Sequence, residues 1–276
     1  MGRRLSIDEV ALSQGELYTV VTNKKAKGRA GSIVAIIAGT KAEVVSAYLM
    51  KIPRDKRRKV KEITLDMAPN MKLIARTCFT RATQVIDRFH VQKLAIEALQ
   101  EIRIKYRWEA IDHENEAILQ ARSSNKEYTP ETFLTGDTRK QILARSRYLL
   151  YKSPEKWTIK QGIRAQVLFK EYPEIKKAYW LSQELRQVFN NNTEKNVAIL
   201  KLARWYDKAE KSGFKSFGTI MNTVQINYDG ILNYFENRST NASAESFNAK
   251  IKAFRSQFRG VRNVEFFLFR LTKIYA

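Results

Sequence analysis

Asp8 and Asp66 each follow a short run of β-forming residues, Leu5 to Ile7 and Lys61 to Leu65, and Glu245 is one of only two acids after residue 238. Hard cations such as Mg²⁺ are held by a few carboxylates, with water and a phosphate oxygen completing the shell. Two such ions roughly 3.5–4 Å apart can clamp the attacking and leaving oxygens of a phosphodiester. About three carboxylates on rigid elements are the smallest protein contribution to that chemistry. Asp8 and Asp66 offer two, and Glu245 is the candidate for the third.

The helix that would carry Glu245 can be read at ~100° per residue. Phe247, Ile251, Phe254 and Phe258 fall on one stripe, suited to packing on a sheet. Asn241, Glu245, Asn248, Lys252, Arg255 and Arg259 fall on another, about 110° away. That second stripe sets one carboxylate among amides and cations, the pattern of a metal ligand that also faces DNA phosphate. A solvated surface helix has the same composition, and the stripe taken alone favours that reading. Asp87-Arg-Phe-His90 is a further polar group at a strand end. Asp87 and His90 are auxiliary candidates near the site; a cap on the next helix for Asp87 and a structural hydrogen bond for His90 are the readings preferred here.

These residues need a scaffold. Leu5–Val10, Glu16–Thr22 and Ser32–Ala38 read as an antiparallel meander rich in β-branched residues. Lys41–Met50 reads as an amphipathic helix stopped by Pro53, 54–59 as a basic loop, Lys61–Asp66 as a strand, 70–79 as a helix and Gln84–Asp87 as a fifth strand. From about residue 90 to 236 nearly everything is helical, and helices over about 240–258 and 262–275 close the chain. The expected fold is α/β: an RNase H-like mixed five-stranded sheet with a large all-helical insertion between the fifth strand and the Glu-bearing helix. The expected domains are 1–93 as the first part of the core, 94–238 as the insertion and 239–276 as the closing helices. The insertion's aromatics, Trp108, Trp157, Trp180, Trp205 and Tyr206, are expected to be core.

Charge narrows the partner. The 276 residues hold 50 Lys and Arg against 28 Asp and Glu, a formal charge of +22. A polyanion suits that excess, because each neutralised phosphate releases counterions; a basic RNA-associated protein satisfies the same number. Residues 1–93 and 239–276 together hold 26 basic and 10 acidic residues, so their carboxylates stand out. Besides Lys252, Arg255 and Arg259, the phosphate-contact candidates are Asn248 and the run that contains Arg57 and Arg58. That run lies roughly 17 Å along the chain from Asp66, too far to touch a metal there. Cys78 is the only cysteine, which excludes an intrachain disulfide and a cysteine-based zinc site. No apolar run approaches the ~20 residues of a membrane span, and the first residues have no apolar signal core.

Four blocks carry a family resemblance: Ser6-Ile-Asp-Glu-Val10, Thr64-Leu-Asp-Met-Ala68, Val85-Ile-Asp-Arg-Phe-His-Val-Gln-Lys93 and Asn241-Ala-Ser-Ala-Glu-Ser-Phe-Asn-Ala-Lys-Ile-Lys252. With the ending Phe258 to Phe267 they resemble the ISL-three family of bacterial insertion-sequence transposases, over essentially the whole chain and in order. The resemblance implies a DDE enzyme with Asp8, Asp66 and Glu245 as catalytic and metal-binding triad, and two Mg²⁺ or Mn²⁺ ions. It implies cleavage at transposon ends followed by 3′-OH strand transfer into target DNA. It further implies a homo-oligomer in the bacterial cytoplasm, associated with the nucleoid. Glu245 and Lys252 match an E-x₆-K spacing in which the Lys meets DNA phosphate. The family's N-terminal zinc ribbon and helix-turn-helix have no counterpart here. End recognition by a separately encoded protein is therefore expected, and an inactive DNA-binding remnant is the alternative. Another RNase H-like nuclease is disfavoured by the Asn241–Lys252 block.

Overall fold

The computed structural model describes residues 1–12, 15–191, 194–257 and 263–276. Its elements, in order, are β1 (Arg4–Ala11), β2 (Leu17–Asn23), β3 (Ile33–Ala38), α1 (Ala42–Met50), α2 (Arg54–Arg58), β4 (Glu62–Leu65), α3 (Pro69–Cys78) and β5 (Thr83–Ile86). Then come α4 (Arg88–Ser123), α5 (Arg139–Arg145), α6 (Ile159–Glu171), α7 (Pro173–Asn191), α8 (Lys195–Ser212) and α9 (Lys215–Ile226). The chain closes with α10 (Tyr228–Leu232), α11 (Tyr234–Asn237), α12 (Ala242–Gln257) and α13 (Val264–Tyr275). The five strands form one sheet in the order β3-β2-β1-β4-β5. β1, β2 and β3 pair antiparallel, and β4 and β5 run parallel to β1. This is the mixed RNase H-like sheet with a helical insertion.

The chain divides into two compact units. The first holds Met1–His90 and Ile226–Ala276, with Thr193–Lys195; the second holds Val91–Asn192 and Asn196–Gln225. Residues 226–238, grouped with the insertion on sequence grounds, thus cluster with the sheet. The reason is contact with β5: Asn233 Nδ2 donates to the Gln84 carbonyl at 3.0 Å. A Cβ on Gly230 would come within 2.8 Å of the Ile86 side chain, so glycine is what allows α10 to approach the strand. Residues 54–58, read as a loop, form a short helix. Pro53 sits at its N-cap, and Asp55 places a negative charge at its positive end.

One face of the sheet is covered by the closing helices. Val10, Tyr18, Val20 and Ile33 pack with Phe247, Ile251, Phe267 and Leu271 in a single apolar cluster. The stripe of Phe247 and Ile251 therefore points where the periodicity placed it; Phe258 lies outside the described residues. In the second unit, Trp205 is buried and donates to the Leu181 carbonyl at 2.8 Å, and Trp157, Phe169 and Tyr179 stack together. Trp108 and Trp180 are exposed, against expectation. A helix longer than its packed face carries large apolar residues past the core. Asp137, buried in the same unit, would be raised by burial, but Arg164, Arg145 and Thr135 outweigh that and hold its carboxyl below the usual range.

Candidate active site

The parallel registers line up three aspartates. β1 pairs with β4 through Ser6 and Thr64, an offset of 58, so two residues further on Asp8 stands beside Asp66. β4 pairs with β5 through Leu65 and Ile86, an offset of 21, so one residue further on Asp66 stands beside Asp87. Asp8, inside β1, thus lies in one row with Asp66 and Asp87, which directly follow the carboxyl ends of β4 and β5.

Helix α12 lies across that row. The backbone N–H of Asn241, just ahead of α12, donates to Asp87 Oδ2 at 2.9 Å. Seven residues later, Asn248 Nδ2 donates to Asp8 Oδ2 at 2.6 Å. Seven helical residues rise about 10.5 Å, and two strand spacings from β5 to β1 span about 9.6 Å. Two helical turns therefore match the width of the row. Glu245 lies between the anchors, four residues from one and three from the other, on the same helical face.

Each acid has its own environment. Asp8 Oδ1 accepts the Glu9 N–H at 2.9 Å. Burial raises the Asp8 carboxyl from 3.8 to about 6, with Asp66 and Glu245 adding repulsion while the Glu9 bond and His90 oppose the rise. Asp66 Oδ1 accepts the Ala68 N–H at 2.9 Å, which fixes the turn into α3. Asp87 is fully buried and accepts both the Asn241 N–H and, at 3.1 Å, the Phe89 N–H, capping α4. Glu245 is raised by burial and by Asp87, with His90 acting in the opposite sense.

Among the described residues, Asp87, His90 and Glu245 offer ligand atoms within 4.8 Å of one another. Asp8 and Asp66 stand outside that group, near enough for Asp66 and Glu245 both to act electrostatically on Asp8. His90 acts electrostatically on both Asp8 and Glu245, lowering each carboxyl. The donor set is carboxylate oxygen with one imidazole nitrogen, and the side-chain oxygen of Asn248 is buried without a hydrogen-bond partner beside Asp8. Hard oxygen donors around an unsatisfied buried acceptor fit a hydrated divalent cation.

The basic candidates fall into buried and exposed groups. Lys252 is exposed. Arg255 is buried and grips both carboxylate oxygens of Glu16, at 2.8 and 3.1 Å. Asn248, read as a DNA contact, is buried against Asp8. Within the polar stripe of α12, Asn241, Asn248 and Arg255 turn inward, whereas Lys252 stays exposed. Arg57 donates to the carbonyls of Ile52 and Cys78, closing the turn into β4, whereas Arg58 is exposed. Arg259 lies outside the described residues. In the turn after β2, Lys24 reaches Thr64 Oγ1 and Glu62, while Lys25, Lys27 and Arg29 are exposed. Asp87, an auxiliary candidate on sequence grounds, joins the row through the β4–β5 register, which the structure supplies.

Residues 5–271 match the sequence model of a transposase family of the ISL-three, DDE type. Transposases named for insertion sequence elements are similar to the chain. The transposase of IS1001 from Bordetella parapertussis is 24% identical over 97% of this chain and 59% of its own length. That of IS1557 from Mycobacterium tuberculosis is 24% identical over 91% of this chain and 55% of its own length. The chain thus spans little more than half the length of these relatives. No solved structure matches it significantly. The chain belongs to the ISL-three family of DDE transposases.

Proposed function

We propose that this chain is the catalytic part of a DNA transposase, cutting at transposon ends and joining the freed 3′-OH to target DNA. The observation that carries the reading is the row of Asp8 within β1, Asp66 just past β4 and Asp87 just past β5, with α12 delivering Glu245 across it. Asp8, Asp66 and Glu245 would hold one or two Mg²⁺ or Mn²⁺ ions, with Asp87 and His90 in support. A bound cation there supplies charge neutralisation at the phosphate and a more acidic water.

The protein groups divide the remaining work. The Glu9 N–H and the Asn248 amide fix the Asp8 carboxylate. Asp87 holds the start of α12, and through it the position of Glu245. Lys252, seven residues from Glu245, sets a cation two turns along the same face for a phosphate of the bound strand. Arg58 extends the basic surface that DNA would follow. In the first reaction a water oxygen bonds to phosphorus and the bond to the 3′ oxygen breaks, freeing a 3′-OH. In the second that 3′-OH attacks a target phosphodiester and displaces its 3′ oxygen, so no covalent enzyme link forms. The partners proposed are transposon-end and target DNA, a second copy of the chain, and a separate end-binding protein. Among the described residues no helix is long and apolar enough to cross a membrane.

The test is joining of a pre-cut DNA end into plasmid with Mg²⁺ or Mn²⁺, comparing the chain with Glu245→Gln and Asp66→Asn. Joining by the parent alone supports the reading. Joining by all three refutes the assignment of these acids. Joining by none, even with an end-binding protein added, favours a DNA-binding remnant.

A further inference from the structure

We propose that Asn248 is a positioning residue for Asp8 in the cation site. This rests on the reading of Asp8 as a metal ligand. The amide can meet an ionised carboxylate in one orientation only, because a carboxylate accepts and does not donate. Its Nδ2 therefore faces Asp8 Oδ2, at 2.6 Å, and its Oδ1 is turned away. That oxygen is buried and has no hydrogen-bond partner. A buried acceptor left unsatisfied is costly, and such atoms are commonly met by an ordered water or ion.

The other bonds to Asp8 make the amide's role specific. Oδ1 is taken by the Glu9 N–H, so rotation of the carboxylate is stopped from one side by its own strand and from the other by α12. Asn248 stands three residues after Glu245 on one helical face. The helix that brings Glu245 to the site thereby also clamps the carboxylate opposite. Loss of a group that orients a metal ligand in this way typically costs about 10- to 100-fold in metal affinity.

The experiment is Mn²⁺ binding, read from the paramagnetic resonance of free Mn²⁺ and so without DNA or turnover. The parent chain is compared with Asp8→Asn, Asn248→Ala and Asn248→Leu, and with Ser246→Ala on the exposed side of α12 as control. Asn248→Leu keeps the volume while removing both polar atoms, and serves where the smaller side chain fails to fold. Expected is a loss of affinity of about 10- to 100-fold in both Asn248 variants, with Ser246→Ala equal to the parent. Parent-like binding in a folded Asn248 variant, with binding lost in Asp8→Asn, overturns the role of Asn248 and leaves the metal site standing. Parent-like binding in Asp8→Asn overturns the metal site, and the Asn248 role falls with it.

Discussion

Replacing Asp8 by asparagine should stabilise the sheet unit of the metal-free chain, even though it removes a proposed catalytic group. Burial raises this carboxyl from 3.8 to about 6. The folded state therefore holds the proton more tightly than the unfolded state. Below pH 4 both states are protonated and ionisation costs nothing. Between pH 4 and 6 the unfolded chain gives up its proton first, and stability falls. Above pH 6 both are ionised, and the full cost is about 3 kcal/mol. Asp8→Asn avoids that cost but has one acceptor oxygen where the carboxylate has two, so it forfeits one of the bonds from Glu9 and Asn248, about 1 kcal/mol. The expected net gain is about 2 kcal/mol at pH 8, vanishing or reversing near pH 4. All four tryptophans lie in the second unit, so fluorescence would not see the change. Amide hydrogen exchange of β1 and β4, with a chelator present, reads it directly. A variant whose β1 amides open as easily as the parent's at pH 8, or whose advantage is the same at both pH values, would refute the reasoning.

Asp87→Ala strands two backbone donors, Phe89 N–H and Asn241 N–H, and should cost about 2–4 kcal/mol, seen as faster exchange in the first turn of α12. Arg255→Ala leaves Glu16 unpaired at a buried contact and should destabilise by about 3 kcal/mol in urea denaturation, without changing the salt slope of DNA binding. Lys252→Ala should do the reverse: unchanged stability, weaker binding, and a log–log salt slope shallower by about 1. Mg²⁺ or Mn²⁺ at a hundredfold excess over its dissociation constant should stabilise the sheet unit by about 2.7 kcal/mol, an effect lost in Asp66→Asn; equal stabilisation in that variant would place the ion elsewhere.

The sheet was legible in the residue order, because β-branched runs and an apolar face are local properties. Ser32–Ala38 reads as a strand and Ile33–Ala38 is one; Phe247 and Ile251 read as a buried stripe and pack on Val10 and Val20. The residue order also offered Asp8 and Asp66 after β-forming runs and Glu245 as one of two acids after residue 238. Tertiary structure decided which polar residues face each other. Asn248 and Arg255 have the composition of a DNA-facing stripe, yet one turns to Asp8 and the other to Glu16, partners some 240 residues away. Likewise, residues 226–238 look like more insertion until Gly230 meets Ile86. Periodicity reports that a helix has two faces and which is apolar. It carries no record of what lies opposite the polar one, because that depends on where the strand edge ends and how far a helix must travel to cross it.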